Sequence, residues 1–73
     1  MEYQFEDFTD DKASLGVFNG LANESTKQNI LTSLNTVVKA CGSLDGAKVK
    51  SVTCDETHVN VVLLNGQKKV FFI

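Results

Sequence analysis

His58 is the only histidine in a chain of 73 residues, four positions after Cys54 and three after Asp55. A thiol, a carboxylate and an imidazole at this spacing offer two chemistries. The Cys-x3-His pair could ligate a metal, or the imidazole could act as base to a nucleophilic thiol. Both need more groups than this stretch supplies. A closed zinc site takes four ligands, and the only other cysteine is Cys41. A working base must itself be oriented by a third side chain. Asp55-Glu56-Thr57 reads as a turn, which puts His58 at a surface end of a sheet. The expectation is a non-enzyme: no catalytic residue, no metal and no cofactor.

The other chemistry-bearing groups have plainer readings. Glu6-Asp7 and Asp10-Asp11 are paired acids, but as sequence neighbours they lack a cleft that would separate their pKa values. Their spacing does not fit an EF-hand loop either. Gly16 and Gly20 lack the Lys-Ser/Thr of a P-loop and the strand that precedes a dinucleotide site. Lys48, Lys50, Lys68 and Lys69 could bind single-stranded nucleic acid beside Phe71 on a sheet face. Against that stand the net charge of −2 and the absence of arginine. Nucleic-acid binding is therefore the alternative function and not the leading one.

Size and charge narrow the classes further. The chain suits one domain, residues 1–73, with a modest core. Hydrophobic residues make up 42% and proline is absent, which excludes a disordered or Pro-rich linker. The longest apolar runs, 59–64 and 70–73, fall far short of the roughly 20 residues that span a bilayer. The first residues are acidic, so no secretory leader is expected, although a mature secreted form could have lost one. Two cysteines make no disulfide framework, and the simplest account is two buried thiols in a reducing, cytoplasmic setting. Up to Glu24 six acids face one lysine, whereas from Ser25 onward six lysines face three acids.

Three elements must position these groups. Ile30, Leu31, Leu34, Val37, Val38 and Cys41 fall within an arc of roughly 120° on one helical face. Ser25-Thr26-Lys27-Gln28 has capping-box form and Gly42 supplies a left-handed stop, so a helix is expected over about 26–41. Its outer face would carry Asn29, Thr32, Ser33, Asn35 and Thr36, nearly without charge. Asn65-Gly66 signals a hairpin between strands 58–64 and 67–73. Read as a two-residue loop, it sets Val61 opposite Val70 and Val59 opposite Phe72. The core face is then Val59, Val61, Leu63, Val70 and Phe72, and the other face is His58, Asn60, Val62, Leu64, Lys69, Phe71 and Ile73. A third strand over 47–54 alternates imperfectly, which suggests an edge position or a bulge.

Residues 1–24 form an acidic, aromatic segment with several local options. They are a strand over 2–8, a short helix capped by Thr9 or Asp10, or a hairpin at Asn19-Gly20. The expected fold is α+β: one amphipathic helix packed on an antiparallel three-stranded meander, with this segment adding a strand or short helix. Side chains on the second sheet face point away from the long helix and need cover. The expected interface is Tyr3, Phe5, Phe8, Val62, Leu64, Phe71 and Ile73. The expected function is a protein-interaction module, a homodimer, acting as accessory protein, inhibitor or assembly factor for a larger protein, of the kind phages encode.

Overall fold

A computed structural model describes residues 2–73. The elements in chain order are α1 (Phe5–Phe8), α2 (Lys12–Asn19), α3 (Glu24–Cys41), a 3-10 turn (Leu44–Ala47), β1 (Val49–Cys54), β2 (His58–Leu63) and β3 (Lys68–Phe72). The strands form one antiparallel sheet in the order β1-β2-β3. The fold is α+β, one long helix and a three-stranded meander with short helices at the N-terminus.

Helix α3 forms where the apolar periodicity places it, but it starts earlier than the capping-box pattern predicts. Asn23 is the N-cap, its Oδ1 accepting from the backbone N–H groups of Ser25 and Thr26 at 2.9 and 3.3 Å. Asparagine in this role satisfies two of the amides that a helix start leaves unpaired. At the other end Gly42 takes φ 74° and its N–H reaches the carbonyl of Val38. The chain then folds back so tightly that a Cβ on Gly46 would lie 2.9 Å from the Cys41 sulfur.

The N-terminal segment is helical, and neither a strand over 2–8 nor a hairpin at Asn19-Gly20 forms. Asp11 caps α2 through the Ser14 amide. Tertiary contacts hold the two short helices. Phe5 and Phe18 stack with centroids 4.1 Å apart, and Phe8 is fully buried. Asn35, expected on the outer face of α3, is instead buried: it accepts from Tyr3 N–H at 2.8 Å and donates to the Tyr3 carbonyl at 3.2 Å. That reciprocal pair binds the start of the chain to the long helix.

The sheet departs from expectation at its hairpin. Gly66 has positive φ but Asn65 does not, so the two-residue type I′ turn is ruled out. Gly66 N–H donates to Leu63 O at 3.0 Å and Leu63 N–H to Gln67 O at 2.8 Å. That is a three-residue loop, a type I turn closed by a glycine bulge, and the Asn65 side chain braces it by accepting from Gln67 N–H at 2.9 Å. One extra loop residue moves β3 by one position. Val59 now lies opposite Phe71, Val61 opposite Lys69 and His58 opposite Phe72. Since side chains alternate between faces, this shift exchanges the two faces of β3.

All helices lie on one side of the sheet. Ile30 and Leu34 of α3 meet Val49, Val52, Val59, Val61 and Leu63 there, together with Phe5, Phe8, Phe18 and Leu21. Val49 and Val52 can both point inward, although they are three residues apart, because the β1–β2 register breaks between Val49 and Ser51. On the other face no side chain of β2 is buried: His58, Asn60 and Val62 are half-covered.

Candidate functional site

The two edges of the sheet are built differently, and the difference defines the candidate site. Hydrogen bonding alternates along an antiparallel pair, so every second residue of an edge strand turns its N–H and C=O outward. Leu63 N–H bonds Gln67 O, and Ile73 N–H bonds Thr57 O. Gln67, Lys69, Phe71 and Ile73 therefore face β2, whereas Lys68, Val70 and Phe72 present backbone groups to the open edge. Among the described residues one of these groups has a partner, the Phe72 carbonyl, which accepts from Thr26 Oγ1 at 3.2 Å.

The same three residues aim their side chains at the helix-free face, beside Val62, Asn60 and His58. Val70 is 50% exposed and Phe72 75% exposed. The Phe72 ring leans on His58, with centroids 4.8 Å apart. Leu64 in the hairpin loop and Ile73 at the strand end are also exposed. An open edge strand flanked by bare apolar side chains is a template for pairing with another extended chain.

Edge β1 is closed. Val52 N–H points outward and donates to the buried Ser14 Oγ of α2 at 3.2 Å. The Ser14 hydroxyl donates onward to Asp11 Oδ2 at 2.7 Å. Bonding by that hydroxyl, helped by backbone amides, holds the Asp11 carboxyl below the ordinary aspartate range.

The residues expected to form the interface do not gather. Phe5 and Phe8 are in the core and unavailable to a partner, and Tyr3 is half-buried with its ring edge-on to Phe8. Phe71 turns to the helix side and packs on the core, a correction that follows from the longer loop. Val62 lies on the helix-free face, Leu64 in the loop and Ile73 at the strand end. Sequence reasoning missed Val70 and Phe72, which it put on the core face. Only the loop length separates the two readings, because Asn-Gly serves either turn.

The four lysines are also scattered. Lys48 Nζ donates to the Asp7 carbonyl at 3.0 Å, and Lys50 sits at the β1 bulge. Lys68 is on the helix-free face, and Lys69 is on the helix side. Both cysteines are free and exposed, contrary to the expected burial, because Cys41 ends α3 and Cys54 ends β1.

Around His58 the groups make a turn. Asp55 Oδ1 accepts from Thr57 N–H at 2.8 Å and His58 N–H at 2.7 Å, bonds that lower its pKa. Nδ1 of His58 lies 2.6 Å from Thr57 Oγ1, and the Cys54 thiol donates to the Asp55 carbonyl instead of to the imidazole. Among the described residues no three His, Cys, Asp or Glu side chains group as a metal site, and no helix is long and apolar enough to cross a membrane. No protein-family model, curated protein or solved structure matches the chain.

Proposed function

We propose that the chain is a non-enzymatic protein-interaction module that binds through the open edge of β3 and the apolar side chains beside it. The observation that carries this is Phe72, three-quarters exposed on a strand whose outward backbone groups at Lys68 and Val70 have no hydrogen-bond partner among the described residues. Exposed aromatic side chains are common anchors of protein interfaces, and an open edge adds directional main-chain bonds. Acting on a larger protein as accessory, inhibitor or assembly factor suits a domain of this size. Two exposed free thiols suit a reducing compartment such as the cytoplasm.

Replacing Phe72 with a photo-crosslinking phenylalanine in living cells tests the proposal, with Thr53 on the opposite edge as the control position. Covalent protein adducts are expected from position 72 and not from position 53. No adduct at 72, or equal adducts at both, would overturn it.

A further inference from the structure

Resting on that reading of β3, we infer that its occupant is a second copy of this chain, paired antiparallel about Val70. The open edge offers N–H and C=O groups at Lys68, Val70 and Phe72. A symmetric pair must join such residues to one another. Centred on Val70, the pair sets Val70 against Val70 and Lys68 against Phe72 of the second copy, each pair exchanging an N–H and a C=O. On the helix side it sets Lys69 against Phe71.

Charge selects this register. Sliding the copies toward the hairpin loop brings Lys69 opposite Lys69 or Lys68 opposite Lys68, and like charges directly opposite destabilise a strand pair. Sliding the other way runs past the end of β3 and leaves Lys68 without a strand partner. Only the Val70-centred pair uses the whole strand with no lysine facing a lysine. It also places each Lys68 ammonium beside an exposed aromatic ring, where cation–π attraction is available.

Thr26 occupies one lone pair of the Phe72 carbonyl and leaves the other free. Two copies would form one continuous six-stranded sheet with an apolar face of half-covered Val62 and exposed Val70 and Phe72 from each. A ladder confined to Lys68–Phe72 should bury less than the roughly 1,200 Å² of a stable interface, so the association belongs to the weak, reversible class.

Sedimentation equilibrium of the whole chain from about 10 μM to about 1 mM, a range suited to a weak interface, provides the test. The expected result is a mass that doubles from 8.0 kDa with rising concentration. Val70→Lys and Val70→Glu, at an exposed position that the fold tolerates, should each weaken association about tenfold or more. Mixing the two should restore it, because residue 70 of one copy then meets the opposite charge on residue 70 of the other. A wild-type mass that stays monomeric throughout would overturn the second copy as occupant, while adducts of Phe72 with another protein would leave the interaction reading standing. A dimer that neither variant weakens, or that the mixture does not restore, would overturn the register.

Discussion

β1 and β3 are both edge strands of one sheet, similar in length and each paired on one side to β2. Edge β1 carries three devices against foreign pairing. Its register breaks near Lys50, helix α2 packs along it, and Ser14 takes up the outward Val52 amide. Edge β3 has lysines at its start and then Val70, Phe71 and Phe72, and among the described residues the one helix contact to its outward backbone groups is Thr26 of α3 on the Phe72 carbonyl. Edge protection here does not come from strand composition, since Val52 is as apolar as Val70. It comes from residues 5–19, which fold over one edge and leave the other open. The acidic, aromatic segment that the sequence leaves with several local options is the part that decides where the molecule can be approached.

The sharpest way to break this contrast is to loosen the cover on β1. Phe8 is fully buried and packs edge-on to Tyr3, anchoring α1 in the core. Phe8→Ala should cost about 3–5 kcal/mol, close to the whole stability of so small a domain. Urea unfolding followed by far-UV circular dichroism would report it. A loss below about 1 kcal/mol would mean that the N-terminal helices are not integral to the core, since such a value is ordinary for surface sites.

Ser14→Ala acts on the same edge more locally. It strands the buried Val52 amide and removes a donor to Asp11, so about 1–3 kcal/mol should be lost. Amide hydrogen exchange gives the specific readout. Protection should fall at Val52 well before it falls at Val61 in the central strand, and equal losses at both would dissociate Ser14 from the edge.

A smaller effect follows from pH. Asp11 and Asp55 both have carboxyls held below their ordinary values, Asp11 first by the Ser14 hydroxyl and Asp55 first by the Thr57 amide. The unfolded chain therefore binds more protons than the folded one in acid. The stability these groups add is complete above the unfolded value of about 3.9 and is lost as pH falls through the lower folded values. Denaturation midpoints should be flat from about pH 6 to 5 and decline below about 4, and Asp11→Asn should flatten the α2 share of that decline. A decline unchanged in Asp11→Asn would mean that other carboxylates carry it.

How much of this was legible in the sequence depended on whether local pattern or distant contact decided each feature. Helix α3 has an uninterrupted apolar face and a glycine stop, and the meander has a turn before each of its last two strands, so both were readable. The irregular spacing of Val49 and Val52 even signalled the bulge. The hairpin register was not readable, because it turns on whether Asn65 takes positive φ, a choice of one residue that reverses every side chain of β3. Helices α1 and α2 are short, one with Gly16 inside it, and their weak propensity hides a helicity enforced by the Phe5–Phe18 stack and the Asn35–Tyr3 bonds. Ser14 reads as ordinary polar surface. Only the fold shows it plugging a strand edge. The candidate site was therefore half visible: the apolar second sheet face and its β2 residues His58, Asn60 and Val62 were legible, but the β3 residues on it were not.

The smallest effect on folding is expected where the largest effect on association lies. Phe72 is three-quarters exposed and makes one ring contact, with His58, so Phe72→Ala should change monomer stability by no more than about 0.5 kcal/mol. If two copies pair through β3, wild-type stability must rise with protein concentration, because pairing favours the folded state by mass action. Phe72→Ala should remove most of that dependence while matching the wild type at high dilution. Thermal melts at about 5 μM and about 500 μM, bracketing a weak interface, separate the possibilities. A mutant that is much less stable even when dilute would place Phe72 in the monomer's own core. A wild type whose midpoint ignores concentration would leave β3 open but unpaired, and the exposed aromatic would then have to find its contact on a different protein.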